Sequence, residues 1–154
     1  MFKKILLPAL FSVFLICSIE SSSALELARY NKIDTVSGIV NDRTVTDNLK
    51  SALGQDYEKF INNLDVFGEP HTTLGGGLFV EGWLKDLYLE NASVLVINPN
   101  GKIYAAWVVP ESDVINYKSS DKEASINKEI QKWAERFKNM HFATENKGMQ
   151  VQPF

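Results

Sequence analysis

The chain has 154 residues, 45% of them hydrophobic and 23% charged, and a formal net charge of −3 at pH 7. This length suffices for one domain with its own hydrophobic core. The acidic balance argues against nucleic acid as a partner and against electrostatic attraction to anionic membranes, because both depend on clustered Lys and Arg.

Residues 1–24 have the pattern of a secretory signal peptide. Lys3 and Lys4 precede an apolar run over residues 5–19, and Ala24 ends a small-residue cleavage site. The run is too short to cross a hydrocarbon core of about 30 Å as a helix. We therefore expect cleavage after Ala24, export to the periplasm and no stable insertion into the membrane.

The single cysteine limits the chemistry of the exported domain. Cys17 lies within the expected signal peptide, so the domain would have no thiol for catalysis, disulfides or metal binding. A lipoprotein signal at Cys17 is the alternative, but Ile16 stands where a small residue is typical. Loss of Lys3, Lys4 and Glu20 from 16 basic and 19 acidic residues leaves 14 and 18, a net charge of about −4.

The first part of the expected domain contains one clear helical pattern. Residues 33–40 predict a short strand or an extended segment. Thr44 or Thr46 then opens an amphipathic helix, because apolar residues recur at steps of three and four. These residues are Val45, Leu49, Ala52, Leu53, Tyr57, Phe60, Ile61 and Leu64. Gly54 weakens the middle of this helix, and residues 68–70 end it.

A β-hairpin follows in the second half of the chain. Residues 78–84 alternate as a strand does, and residues 93–97 and 102–109 are two apolar runs joined by a turn at 98–101. Pro99 in that turn presets the backbone, and Gly101 can adopt a left-handed conformation. Because both runs are almost continuously apolar, at least one should be a central strand covered on both faces.

A second helix is predicted after a polar stretch. Residues 120–123, Ser-Asp-Lys-Glu, have the spacing of a capping box. The buried stripe comprises Ile126, Ile130, Trp133, Ala134 and Phe137, and the solvent side comprises Lys122, Glu129, Lys132, Glu135 and Arg136. The tail from residue 143 is polar and should fray. The order of elements predicts a single α+β domain, a small antiparallel sheet flanked by an N-terminal and a C-terminal helix.

The two histidines offer little chemistry. His71 and His141 are too far apart in the sequence to form a paired metal-binding motif. We expect His71 to be a solvated loop residue and His141 to complement the dipole at the end of the last helix. No metal ion or other cofactor is predicted.

Enzymatic motifs are weak throughout. Glu81, Asp86 and Glu90 could supply a glycosidase-like carboxylate pair, but charges beside a strand usually solvate its edge. The flexible loop Gly75, Gly76 and Gly77 lacks the Lys-Ser/Thr of a phosphate-binding loop and precedes a strand instead of a helix. No Gly-x-Ser-x-Gly motif of a nucleophilic serine occurs. We predict no catalytic residues and a protein that is not an enzyme.

The segment over residues 82–89 combines apolar and aromatic residues with one charge pair. One interpretation is a core strand that buries Trp83 and bends at Lys85 and Asp86. The other is a recognition loop, because Trp and Tyr dominate the energetics of protein interfaces and Tyr88 lies close to Lys85. Both hold together if Trp83 is buried and Tyr88 is exposed.

The layout of residues 48–109 resembles a known family. An amphipathic helix containing Leu49, Tyr57 and Phe60 is followed by Pro70, by Gly75-Gly76 and by a strand-turn-strand over residues 94–104. In this layout the chain resembles the Ivy family, periplasmic inhibitors of vertebrate-type lysozyme. The resemblance covers about half of the expected mature chain.

The resemblance implies a site just before the hairpin. Family members carry a CKPHDC loop there, clasped by a disulfide, and its histidine enters the lysozyme active site. In this chain residues 83–90 read Trp-Leu-Lys-Asp-Leu-Tyr-Leu-Glu, without cysteine or histidine. The resemblance therefore implies a related scaffold with a rewritten loop, directed against a lysozyme or another envelope hydrolase.

Two functional hypotheses follow. The first is a non-enzymatic periplasmic protein that binds and inhibits a peptidoglycan-degrading enzyme, as a lysozyme inhibitor or a toxin-immunity protein. Its contacts would be Trp83, Lys85, Asp86 and Tyr88, and the glycines at 75–77 would let this arm adjust. The oligomeric state is left open, with a homodimer among the alternatives.

The second hypothesis is a periplasmic protein that binds a small ligand or serves in envelope stress. It would use an apolar pocket between the sheet and the helices. The expected lining comprises Tyr57, Phe60, Trp107 and Trp133.

Overall fold

A computed structural model describes residues 24–122 and 125–143 of the chain. The expected signal peptide before Ala24 and the polar tail beyond residue 143 lie outside the described residues. The described part is an α+β domain, as the sequence predicts.

Helical segments come first in the chain, six strands follow them, and a helix and a short strand end the described part. The α-helices are α1 (Arg43–Leu53), α2 (Tyr57–Ile61) and α3 (Lys128–Ala134), and short 3₁₀ helices occupy Leu27–Tyr30, Val36–Asn41 and Gly54–Asp56. The strands are β1 (Val66–Phe67), β2 (His71–Thr72), β3 (Leu78–Trp83), β4 (Ala92–Ile97), β5 (Ile103–Val108), β6 (Val114–Ser119) and β7 (His141–Phe142).

The strands form one sheet in the order β1-β3-β4-β5-β6-β7, and β2 pairs with the start of β3. All pairings among the described strands are antiparallel except that of β6 with β7. The predicted hairpin is confirmed as β4 and β5, with Ile97 opposite Ile103 next to the turn. Every residue of these two strands is buried, so both are central and covered on both faces.

The sheet separates two hydrophobic layers. On one face α1, α2 and the first two 3₁₀ helices pack over side chains such as Val80, Leu95 and Trp107. On the other face α3 packs over Phe79, Val94 and neighbouring side chains. The alternation predicted for residues 78–84 fits β3, because successive side chains of a strand point to opposite faces and those of β3 enter both layers.

The first predicted helix is shorter than its periodicity suggests. Asp42, before either expected threonine, caps α1 by accepting a hydrogen bond from the Val45 amide at 3.1 Å. Gly54 ends α1 with φ 55°, a left-handed value that glycine adopts without strain. The apolar stripe continues through a 3₁₀ turn into α2 instead of running along one helix.

Residues 33–40 do not form the expected strand. Val36 and Ile39 are both buried within a 3₁₀ helix. Side chains three residues apart lie on the same side of a 3₁₀ helix, so this short apolar repeat fits the helix as well as it fits a strand.

The predicted start of the last helix is also wrong. Asn127, not the 120–123 motif, caps α3 by accepting a hydrogen bond from the Glu129 amide at 2.9 Å. Ser120 instead directly follows β6. The sequence of β6 is largely polar, so it does not predict a strand. His141 lies in β7, beyond the end of α3, and cannot complement the dipole of that helix.

Candidate functional site

The loop that joins β3 to β4, residues 84–91, stands at one end of the sheet and is termed the β3–β4 loop. Trp83 and Ala92 are the last paired residues before it. The Leu84 amide donates to the Asn91 carbonyl at 3.0 Å, which closes the loop at its base. Within it, the amides of Glu90 and Asn91 both donate to the Leu87 carbonyl, at 3.0 and 2.9 Å. The loop is therefore a pair of compact turns.

The tip of the β3–β4 loop carries both charged and apolar side chains. Lys85 and Asp86 are exposed, and Asp86 has φ 64°, a left-handed conformation that Asp tolerates better than most residues. Tyr88 and Leu89 are 43% and 53% exposed, which makes them two of the four large exposed apolar side chains in the described part of the chain. Lys85 makes no ion pair with any described residue.

Trp83 and Tyr88 form the aromatic part of the site. Their rings meet edge to face, with centroids 4.8 Å apart, a geometry favoured between aromatic side chains. Trp83 is half-buried and packs against the α3 side of the core, whereas Tyr88 reaches solvent. Residues 82–89 therefore have the one arrangement in which both interpretations can hold, with Trp83 partly buried and Tyr88 exposed.

Arg136, just beyond α3, lies beneath the loop. Its guanidinium carbon lies 4.4 Å from the centroid of the Tyr88 ring, and Arg136 forms an ion pair with Glu81 of β3. The Arg136 side chain is only 16% exposed, so its expected place on the solvent side of the helix is wrong. The Glu81 carboxylate is therefore paired with a cation from the chain just beyond α3.

A buried amide fixes the far end of the loop. Asn63 is 3% exposed. Its Nδ2 donates to the Ala92 and Val108 carbonyls and to the Ser93 hydroxyl at 3.1 to 3.2 Å. Its Oδ1 accepts from Nδ2 of Asn91 at 3.3 Å. One side chain therefore ties the end of the loop to β4 and β5.

Gly75, Gly76 and Gly77 lie at the other end of β3. They form the turn between β2 and β3, with φ values of 95° at Gly75 and 81° at Gly76, and Leu74 beside them is fully exposed. Five residue steps separate the two ends of β3, about 17 Å. The structure does not bring the glycines together with Trp83, Lys85, Asp86 and Tyr88.

The apolar pocket expected between the sheet and the helices is not formed. Tyr57, Phe60 and Trp107 belong to one core layer, whereas Trp133 belongs to the layer on the opposite face of the sheet. Phe60 and Trp107 are in edge contact, with centroids 6.2 Å apart, and fill the space between α2 and β5. A single cavity cannot be lined by these four side chains.

A shallow cleft of about 350 Å³ lies beside the loop, between β2, β3 and α3. His71 stacks on Phe79 with centroids 4.5 Å apart, and its Nε2 lies 3.2 Å from a carboxylate oxygen of Glu129. His71 is thus partly ordered by neighbours, although its side chain is 49% exposed. Tyr88 and Arg136 form the edge of the cleft next to the loop.

Arg136 and Asn63 are the residues of this site that the sequence does not reveal. Arg136 has the helical spacing of a solvent-facing residue, and its aromatic and acidic partners come from β3 and the loop. Asn63 follows Asn62 near the end of a helical pattern, where Asn usually marks a turn. No short-range signal identifies either contact.

Within residues 24–122 and 125–143, no group of three or more His, Cys, Asp or Glu side chains could hold a metal ion. No helix in this part of the chain is long and apolar enough to span a bilayer.

The fold and the loop define a small α+β domain that displays an aromatic and charged loop at one end of its sheet. The family model described as inhibitor of vertebrate lysozyme (Ivy) matches residues 44–140, more than half of the chain. The protein belongs to the Ivy family, as its resemblance predicts. Neither curated proteins nor solved structures give a match.

Proposed function

We propose that the protein is a non-enzymatic periplasmic inhibitor that binds a peptidoglycan-degrading enzyme, a vertebrate-type lysozyme above all, through the β3–β4 loop. The observation that carries this proposal is the exposed Lys85, Asp86 and Tyr88 on a compact loop, in a chain of the Ivy family. Trp83 supports the loop from below through its edge contact with Tyr88.

The loop suits the active-site cleft of a glycoside hydrolase. Such enzymes usually cleave their substrate with a pair of Asp or Glu carboxyl groups that flank a deep groove. Lys85, which is exposed and makes no ion pair with a described residue, offers a cation to those carboxylates. Tyr88 and Leu89 offer apolar surface to the sugar-binding walls. A Lys ammonium is a compact charge on a flexible stem, so it can reach into a groove from the tip of the loop.

Net charge supports the same kind of partner. The expected mature chain carries about four more acidic than basic residues. Electrostatic attraction accelerates the association of an acidic protein with a basic one and weakens as salt is added. An inhibitor of a basic hydrolase should therefore bind more slowly at high ionic strength, with a smaller change in its dissociation rate.

The proposal is tested by complex formation and contact mapping. The mature domain is mixed with a vertebrate lysozyme, the complex is isolated by size exclusion, and amide exchange is compared with that of the free protein. We expect protection over residues 84–91 and none at the 73–77 turn, which serves as an internal control at the opposite end of the sheet. Failure to form a complex, or protection confined to the 73–77 turn, would contradict the proposal.

A second candidate, a toxin-immunity protein, is favoured by the composition of the loop. Residues 83–90 contain neither histidine nor cysteine, so the target can differ from the lysozymes that other members of the family bind. A panel of peptidoglycan hydrolases that includes amidases and muramidases distinguishes the two candidates. Inhibition of one bacterial hydrolase without inhibition of vertebrate lysozyme would favour immunity.

A further inference from the structure

The guanidinium of Arg136 lies between the β3–β4 loop and α3. Its central carbon lies 4.4 Å from the Tyr88 ring centroid and 5.2 Å from the Trp133 ring centroid. A cation is attracted to the face of an aromatic ring, and the attraction is stronger where water is partly excluded. The contact therefore favours one position of Tyr88 over the others that a half-exposed loop residue could adopt.

Arg136 is itself held in place by two fixed groups. It forms the ion pair with Glu81, whose side chain is 19% exposed, and its Nε donates to the Trp133 carbonyl at 3.2 Å. Glu81 belongs to β3, so the guanidinium is fixed to the sheet rather than to the loop. Tyr88 thus rests on a group that is held by β3 and by the chain at the end of α3, not by the loop itself.

The hydrogen bonding of Arg136 shows that its position is not set by Glu81 alone. Nη1 of Arg136 is buried and has no hydrogen-bond partner within the described part of the chain. Buried donors are usually paired, and each unpaired one is unfavourable for folding. If the guanidinium served only to pair with Glu81, Nη1 could point into solvent and donate a hydrogen bond to water. The observed position instead keeps the planar group against the aromatic rings.

We propose that Arg136 is a positioning residue that holds the β3–β4 loop in its binding conformation, an inference that rests on the proposed function. Ordering a loop at the moment of binding reduces affinity, so a loop ordered beforehand binds more tightly. Arg136 acts through Tyr88, and Trp83 completes the arrangement from the other side. The partner contacts the loop and need not touch Arg136.

The conformational part of this proposal is tested in the free protein. Amide exchange is measured at Leu87, Glu90 and Asn91, whose amides close the two turns of the loop. In the Arg136→Met variant these amides should exchange about tenfold faster, the factor that one cation–π contact supplies, while amides of β4 keep their rates. Unchanged loop exchange would overturn the proposal, whatever the protein binds.

The binding part uses a double-mutant cycle with vertebrate lysozyme. Arg136→Met should weaken binding about tenfold in the wild-type background but less than about twofold in a Tyr88→Ala background. An equal loss in both backgrounds would assign Arg136 a general structural role and overturn the proposal. Lys138→Met, which removes an exposed positive charge near Arg136, controls for the change in net charge and should bind as the wild type does.

Two other outcomes also decide the role of Arg136. If Arg136→Met does not fold, Arg136→Lys keeps the charge and the pairing with Glu81 but loses the planar stack, and about a threefold effect on loop exchange is expected. If wild-type protein binds no vertebrate lysozyme, the proposed function fails, and the exchange rates of the free protein alone decide the role of Arg136.

Discussion

Replacement of Asn63 by Ala should destabilise the domain and loosen the β3–β4 loop together. The wild-type amide serves three acceptors, the Ala92 and Val108 carbonyls and the Ser93 hydroxyl, and accepts one bond from Asn91. The substitution removes about two net hydrogen bonds, each worth about 1 kcal/mol, and leaves one buried acceptor unpaired, which costs about 1 kcal/mol more. The expected total cost is about 3 kcal/mol. A domain of ordinary stability, about 5–15 kcal/mol, stays folded after such a loss.

Urea unfolding followed by tryptophan fluorescence measures this cost. The midpoint of Asn63→Ala should fall with no change in the slope of the transition. Asn62→Ala is the matched control, because Asn62 is exposed and its side chain makes no hydrogen bond among the described residues; it should stay within about 0.5 kcal/mol of wild type. A loss below about 1 kcal/mol for Asn63→Ala would show that the buried amide contributes little to stability.

Two further predictions concern the scaffold. A hydrogen bond from Lys118, with the ion-pair atoms 2.7 Å apart, lowers the pKa of Asp56 below its ordinary value of 3.8, so Lys118→Met should lower stability by about 1.5 kcal/mol at neutral pH. The ion pair stabilises the fold fully above the ordinary carboxyl pKa of 3.8, and this stabilisation is lost as the pH falls through the lower pKa of the folded state. The stability difference between the wild type and Lys118→Met should therefore shrink below pH 3.8. A difference unchanged at a pH of about 2 would contradict the assignment. Gly82→Ala should lower the melting temperature and cost about 1–3 kcal/mol, because its Cβ would meet the Val66 carbonyl oxygen at 2.8 Å; an unchanged melting temperature would show that β1 can move away.

The hairpin was predictable because its determinants are local. The turn at 98–101 contains the Pro and Gly that such a turn requires, and the flanking apolar runs are long enough to be central strands. Helix α1 was predictable from periodicity for the same reason. Its start was not, since Asp42 and Thr44 are both good caps and the backbone selects between them.

The elements that were missed depend on contacts between distant segments. Ser120 and Asp121 imitate a capping box, yet the Ser120 hydroxyl accepts from the Ile103 amide at 2.9 Å beside β5, and Asp121 pairs with Lys102. β6 buries only Ile115, so its sequence looks like a polar connection. The sheet neighbours, not the local pattern, decide the structure of these residues.

The loop of the candidate site was predictable from the local sequence, and its role in binding stays a prediction. An apolar and aromatic segment between two strands indicates an exposed loop that could bind a partner. The structure shows that residues 84–91 form a compact loop. The support beneath it depends on Arg136 and Glu81, which are 55 positions apart in the sequence. Helical periodicity shows only which side of its own helix Arg136 faces. Periodicity cannot show that a loop from another part of the chain covers this side chain.

The lytic activity of vertebrate lysozyme on bacterial cell walls shows whether the β3–β4 loop makes this chain an inhibitor. The mature domain should abolish lysis at a stoichiometric ratio. Tyr88→Ala should weaken inhibition by about 30-fold or more, as expected for an interface hot spot, and Leu74→Ala, an exposed apolar residue at the opposite end of the sheet, should inhibit as the wild type does. Full inhibition by Tyr88→Ala, or loss of inhibition by Leu74→Ala, would show that the β3–β4 loop is not the inhibitory surface.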